Sequence, residues 1–469
     1  MTTPAAAGWR TARDLPIIIG LCVVVLLAYA NAFSASFQFD DFNVIVSNPR
    51  VHGLSAWWHE LPGIRPLLKL SYALNWMASP QAWGFHAVNI GIHAVNTVLV
   101  WAWAGLCLQR LQPQRAIPAW APVAMALLFA LHPAATEAVT YISGRSQSLM
   151  AAFYLASLLV YVTGREQARG ALSLVLSPLL FALALAVRET AVTLPLAILL
   201  LAWCRGRPLR EELLCMRGHL LVLALAALTA AAMPAYREFF SWSLATRDVL
   251  AQIGGQIQAH GYLLWHSVLG LQTNIDPDVR VPTAVSAPLL ANALGLMLTV
   301  AIAFGTRTRW PWLSFGLLWY LLQLAPSNSL LPRFDLVNDR HLYLALPGIA
   351  LVVVALATRL PSRALALALL LAAGTCAGLA TIQRNLEYRT ELTLWEATVR
   401  ASPNKARPWI NLGYARQLSG DRAGARRAYA CALELDPANA QAVTNLAVLG
   451  REVESDAPDG IDERPPCLL

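Results

Sequence analysis

Charge is what this sequence has little of. Asp, Glu, Lys and Arg make up 13% of its 469 residues, where a soluble globular domain carries about a quarter, and 57% of the chain is hydrophobic. That balance excludes an ordinary soluble domain and points to a polytopic membrane protein. Lysine is scarcer still: Lys69 and Lys405 are the only two, so arginine carries the positive charge. The net charge of +8 is scattered in twos through short connections and forms no basic stripe. A nucleic-acid partner is thereby disfavoured, and the positive-inside bias of membrane loops explains the charge. The seven cysteines (Cys22, Cys107, Cys204, Cys215, Cys376, Cys431 and Cys467) contain no C-x-x-C, so neither a metal set nor a disulfide framework is expected. No ligand spacing demands a metal, and a divalent-cation requirement stays open.

What is present is a series of apolar runs. Residues 15–33 form the first, and Ala28-Tyr29-Ala30 mimics a signal-peptide cleavage site, but the many runs that follow favour an uncleaved span. The others are 84–108, 118–132, 148–163, 171–187, 190–204, 217–235, 288–305, 310–326, 341–357 and 364–382. The pattern predicts an all-α fold with about eleven transmembrane helices. With a cytoplasmic amino terminus, the even-numbered connections hold Arg110/Arg115, Arg165/Arg169, Arg205/Arg207/Arg210/Arg217, Arg307/Arg309 and Arg359/Arg363, as positive-inside topology requires. The opposite face receives 34–83, 133–147, 188–189, 236–287, 327–340 and everything after 382. Trp57-Trp58 suits an interfacial helix, and Val249–Leu271, with Gln252, Gln256, Gln258, His260 and His266, reads as an amphipathic surface helix.

After residue 382 the composition turns soluble. Residues 383–450 read as a tetratricopeptide-repeat domain. Its clearest unit is 406–439, where Trp409, Leu412, Gly413, Ala425, Tyr429, Ala432 and Pro437 stand at the offsets of that two-helix repeat, although Arg416 replaces the usual aromatic. Residues 451–469, rich in Asp, Glu and Pro, read as a disordered tail. Residues 1–382 make the membrane domain.

The polar residues interrupting the apolar runs fall on one face by this count: Asp40-Asp41, set between Phe39 and Phe42; Arg65-Pro66; Glu137; Arg145; Arg188-Glu189; Arg333; and Asp339-Arg340. Each also has a plain structural reading. An Asp pair is common in solvated loops, Arg188-Glu189 suits a polar turn, Glu137 and Arg145 suit an ion pair, and His86 and His93, seven apart on one helical face, suit satisfied core histidines. Ionisable residues at span mouths are nonetheless costly enough to suggest a site.

Phe39-Asp40-Asp41, Arg65-Pro66, the run Gly84 to Asn89 with His93, Leu128 to Pro133 continuing through Thr136-Glu137 to Gly144-Arg145, the Arg188-Glu189 hinge and Asp339 to Leu344 together resemble the transmembrane-and-tetratricopeptide-repeat (TMTC) group of protein O-mannosyltransferases and their bacterial relatives. The hinge departs from that group's usual Lys-Glu, and the repeat array is short for it. The resemblance implies a C-type, polyprenyl-phosphate-sugar-dependent glycosyltransferase, and it points to the Asp pair as catalytic.

The chemistry of the residues agrees. Transfer from a lipid-phosphate sugar needs a base for the acceptor hydroxyl, supplied by Asp41 or Asp40, with Asp41 preferred because Asp40 lies nearer the apolar end of the first span. It also needs cations for the leaving phosphate, which Arg188, Arg340 and Arg333 can supply through their planar guanidinium groups. Arg65, His86, Glu137, Arg145, Glu189 and Asp339 are expected in support, Glu189 as an orienter of Arg188. The expected function is inverting transfer of a sugar to an acceptor hydroxyl, by preference a protein Ser or Thr held by the repeat domain, at the periplasmic face of a bacterial inner membrane. Transfer to a cell-envelope glycolipid or polysaccharide, and a non-enzymatic repeat scaffold, remain as alternatives.

Overall fold

The computed structural model describes residues 11–59, 63–270 and 273–453. The expected disordered tail falls outside them from residue 454 onward. Every described regular element is a helix. Each of the eleven apolar runs lies in helical structure, but among the described residues only five helices are individually long and apolar enough to cross a membrane: Asp14–Ser34, Ala82–Leu111, Ile142–Glu166, Ala287–Gly305 and Arg363–Glu387. Two bent pairs raise the number to seven, Trp120–Ala130 with Pro133–Val139 (55°) and Leu209–Cys215 with Arg217–Ala232 (67°).

The other runs form the shorter apolar helices Leu172–Val187, Glu189–Cys204, Pro311–Leu324 and Leu346–Ala357. At 1.5 Å per residue such helices reach about 18–24 Å, short of a ~30 Å hydrocarbon layer. Their ends continue as irregular backbone, which membrane proteins tolerate where it is enclosed by other protein. Those irregular ends carry the polar residues.

The long helix Ala82–Leu111 is central. It packs against Trp120–Ala130, Arg145–Glu166 and the first helix, and its Trp103 stacks into a cluster with Trp319 (4.7 Å between ring centroids) and Phe315. Helices Pro311–Leu324 and Leu346–Ala357 cross where two glycines face each other: a Cβ on Gly316 would stand 2.7 Å from the Gly348 carbonyl oxygen. Side chains there would force the helices apart.

Helix Val249–Leu269 is amphipathic with its polar side turned inward. Gln252 donates to the Ser329 carbonyl (2.8 Å), Gln256 to Leu336 (3.3 Å), and His260 meets the Asn328 carbonyl (3.0 Å), while Leu250, Trp265 and Val268 are exposed. Just before this helix Arg247 donates to the Arg333 carbonyl, and just after it the Asn274 N–H donates to Asp339. Both ends therefore meet one connection, 325–345, so the helix runs along it.

Beyond residue 387 come four helices, Glu391–Ala401, Ala406–Leu418, Arg422–Leu435 and Ala440–Val453, with their own apolar core around Trp395, Trp409, Leu412 and Tyr429. The Tyr429 ring lies against Gly413, where any Cβ would meet it at 2.5 Å. These helices are tied to the face of the membrane helices that carries the Asp pair. Asp276 is held by Lys405 and Arg407, Arg407 also reaches Asp335 (2.8 Å), and Asn274 donates to Ser402 (2.6 Å). One cysteine departs from expectation: Cys431 is disulfide-bonded, while Cys22, Cys107, Cys204, Cys215 and Cys376 are free. Isolated spacing carries no signal for a single bridge.

Candidate active site

The two aspartates of the first connection have different surroundings. Asp41 is fully buried, and its carboxylate is committed to the backbone: one oxygen accepts the Gln38 N–H (3.0 Å) and the other the Ser143 N–H (2.7 Å). Burial pushes its pKa up to about 7, against the pull of those hydrogen bonds. Asp40 is partly exposed. Its N–H donates to the Tyr141 hydroxyl (3.1 Å), and its carboxylate has no hydrogen-bond or ion-pair partner among the described residues. The sequence preference for Asp41 rested on distance from the first span, and the geometry reverses it: Asp41 fastens the loop to the Tyr141–Gly144 turn, and Asp40 is the accessible carboxylate.

Phe39 shapes this turn. Its φ of 45° is left-handed, a conformation costing roughly 1–2 kcal/mol for a residue with a Cβ, and its ring inserts edge-on against Trp395 at 5.2 Å. The opposing turn is equally constrained. A Cβ on Gly144 would collide with the Glu137 carbonyl, so glycine is what lets residues 137–145 fold back and offer the Ser143 N–H to Asp41.

Four arginines lie within electrostatic reach of one another, and one of them, Arg340, also reaches Asp40. Arg340 comes from the connection after helix Pro311–Leu324. Its N–H donates to Glu137 (2.9 Å), its guanidinium lies 3.7 Å from the same carboxylate, and it feels the charge of Asp40. Arg65 forms a two-pronged pair with Glu189 (2.9 to 3.1 Å), and Tyr236 donates to that carboxylate at 3.2 Å. Arg188, at the end of helix Ser177–Val187, donates to the Ser146 hydroxyl (2.6 Å) and keeps a buried Nε without a partner. Arg333 likewise has a buried, unpartnered Nε. Burial, then Arg65, Arg340 and Arg333, hold Arg188 well below the ordinary guanidinium range, and burial with Arg65 lowers Arg333 to about 10. Neither has an ion-pair partner among the described residues. Two adjacent desolvated cations of this kind are costly unless an anion joins them.

Several expected supports are structural. Arg145 is 0% exposed and does not pair with Glu137. It donates to Asn89 and Asn75 (both 2.6 Å) and lies over the rings of Tyr72 and Phe85. His86 is buried against the Ala35 carbonyl (3.1 Å), and His93 bridges Tyr343 and the Ala130 carbonyl. Asp339 is buried and accepts the Asn274 N–H (2.8 Å), anchoring the far end of helix Val249–Leu269. Glu189, expected to orient Arg188, holds Arg65 by hydrogen bonds and reaches Arg188 only through its charge among the described residues. Sequence reasoning missed Tyr141, Ser146 and Tyr236, lone polar residues with no pattern to flag them. Among the described residues no group of His, Cys, Asp and Glu is arranged to hold a metal ion.

A groove of about 340 Å³ opens between helices Val249–Leu269, Ala287–Gly305 and Pro311–Leu324, lined chiefly by apolar groups including Leu264, Trp265, Leu296 and Leu321. His260, at its edge, contacts the Asn328 carbonyl in the connection that carries Arg333 and Arg340.

No protein-family model matches the chain, and no solved structure matches it. Among curated proteins it is similar to Protein O-mannosyl-transferase F38B6.6 of Caenorhabditis elegans, with 26% identity over 464 residues covering 92% of this chain and 64% of the relative. It is also similar to Protein O-mannosyl-transferase Tmtc2 of Drosophila melanogaster (32% over 155 residues, 29% of this chain, 16% of the relative) and to human Protein O-mannosyl-transferase TMTC3 (29% over 163 residues, 31% and 16%). The chain thus spans less than two thirds of the length of these relatives. The curated relatives it is similar to are thus protein O-mannosyltransferases, among them members of the TMTC group that its motifs resemble.

Proposed function

We propose that this protein is an inverting glycosyltransferase that moves a sugar, mannose by the names of its relatives, from a polyprenyl-phosphate donor to a Ser or Thr hydroxyl of a protein. The observation that carries the reading is a partly exposed carboxylate, Asp40, within electrostatic reach of Arg340, which in turn reaches the buried Arg188 and Arg333. Among the described residues the Asp40 carboxylate has no side-chain partner and the two buried arginines have no ion-paired anion. Asp40 takes the acceptor proton as the hydroxyl oxygen bonds to the anomeric carbon. The bond from that carbon to the phosphate oxygen breaks on the opposite side. Arg188 and Arg333 receive the lipid phosphate, with Arg340 between them and the base. Fixed cations need no reorganisation as the charge develops, which is where such sites gain most of their rate.

The groove beside helix Val249–Leu269 suits the donor's isoprenoid tail, being apolar and lined in part by His260, which contacts the connection that carries Arg333 and Arg340. The arginines of the opposite face support an orientation. Arg110 and Arg205 share Glu166, Arg165 lies by Glu212, and Arg115 donates to the Thr358 carbonyl, so these connections meet at one end of the bundle. With that end cytoplasmic, the Asp pair and the C-terminal helices, which we take as a tetratricopeptide domain after residue 382, stand outside the cytoplasm, in a bacterial cell in the periplasm.

The test is transfer by purified full-length protein in lipid nanodiscs, given radiolabelled polyprenyl-phosphate mannose and a Ser/Thr-rich peptide. Mannosyl peptide of inverted anomeric configuration supports the reading. Label appearing only in glycolipid supports the glycolipid alternative, and label in neither removes the enzyme reading for this donor.

A further inference from the structure

The Asp40 turn is gripped from the C-terminal side of the chain. The Ser36 N–H donates to the Arg389 carbonyl (3.2 Å), Gln38 to the Tyr388 carbonyl (3.0 Å), and the Phe39 N–H to a carboxylate oxygen of Glu391 (2.7 Å), while the Phe39 ring meets Trp395. The Glu391 contact differs in kind from the rest. Glu391 is the first residue of helix Glu391–Ala401, and that helix is already closed by Thr390 and Thr393, whose hydroxyls each accept the other's N–H. Capping therefore has no need of the carboxylate. Glu391 instead satisfies the N–H of the one left-handed residue in this turn, immediately before Asp40.

We propose that Glu391 is a positioning residue for the transfer reaction: by accepting the Phe39 N–H it fixes the left-handed turn that aims the Asp40 carboxylate. The C-terminal helices thereby set the geometry of the base as well as covering the face. This rests on the reading of Asp40 as the base. Glu391 itself touches no reacting atom. Its carboxylate and the Asp40 carboxylate are joined through one residue of strained backbone, so its loss shifts the base, and a misplacement of about 1 Å costs on the order of 10²-fold in rate.

The test compares Glu391→Ala and Glu391→Gln in the full-length protein, each alone and combined with Asp40→Asn, measuring kcat and donor KM for polyprenyl-phosphate mannose together with the melting temperature. The amide oxygen of Gln still accepts the Phe39 N–H. The expected result is a kcat lowered by ~10- to 100-fold in Glu391→Ala with donor KM unchanged, most of the rate retained in Glu391→Gln, and no further loss when Glu391→Ala is added to Asp40→Asn. Wild-type kcat in Glu391→Ala overturns the proposal, as does equal loss in the Ala and Gln variants, or a further drop in the Asp40→Asn background. Wild-type turnover in Asp40→Asn is a separate outcome: it removes the base assignment itself, and the role of Glu391 with it.

Discussion

The Asp41 carboxylate accepts the backbone N–H of Ser143 at 2.7 Å, across 102 positions of sequence. Through this bond the first connection is closed onto the turn that carries Tyr141 and Glu137. Its neighbour Asp40 is left partly exposed, with no hydrogen-bond or ion-pair partner for its carboxylate among the described residues.

A structural Asp41 has a pH signature. Its folded pKa, about 7, stands above the unfolded value near 4. Folding therefore favours the protonated form: the contribution to stability is fully present below about pH 4, falls as pH rises, and is gone above about pH 7. Asp41→Asn turns an amide NH₂ toward one of two backbone donors, which we expect to cost ~1–3 kcal/mol at pH 5. Because the wild type loses stability across the window and the variant does not, that cost should shrink by pH 8. Denaturation of both forms in matched detergent at the two pH values checks this, and a cost that grows with pH would mean that the carboxylate is held ionised.

In the proposed reaction Arg188 is the principal residue for the phosphate. Lys keeps the charge without the planar fork. Donor affinity, measured by isothermal titration with a non-hydrolysable polyprenyl phosphonate, should fall in the order wild type, Arg188→Lys, Arg188→Ala, with the last step at least ~10-fold, as for a buried charge-assisted contact. Equal affinities would leave Arg188 as a turn residue.

Gly295 lines the apolar groove with open space where a Cβ would be. Gly295→Trp should raise KM for a long-chain polyprenyl donor and leave a two-isoprene donor unaffected. If both donors respond alike, the groove is not the tail site.

How much of this was legible in the sequence depends on the range of the interaction. Hydropathy is a local quantity, so the apolar runs appear as helices close to their expected places, and the Asp pair, Arg188, Arg333 and Arg340 could be singled out as charges at run ends. Pairing is not local. The plain structural reading pairs Glu137 with Arg145, eight residues on, yet Glu137 meets Arg340 from 203 positions away, while Arg145 is enclosed by two asparagines and two rings. The inward glutamines of helix Val249–Leu269 read as a face for water, because nothing local tells that the connection around Asn328 and Leu336 needs donors and acceptors for its irregular backbone. The separation of Asp40 from Asp41 hangs on the Gly144 turn and on Phe39, and neither residue type announces which carboxylate will be buried.

Sidedness can be checked without any activity. Ser419 is exposed at the end of helix Ala406–Leu418, and a cysteine placed there should react with a membrane-impermeant maleimide in intact spheroplasts. Protection until lysis would reverse the topology and put the Asp pair in the cytoplasm, since the C-terminal helices and the Asp40 turn are joined on one face.

The most direct measurement is single-turnover mannosyl transfer by Asp40→Asn and Asp41→Asn at matched folded concentration. Removing the carboxylate of a general base while keeping its volume costs ~10²–10⁴-fold. The account predicts that Asp40→Asn loses transfer by at least that range with wild-type melting and donor affinity, while Asp41→Asn loses stability first and retains more of its rate per folded molecule. Near-normal turnover in Asp40→Asn would contradict it.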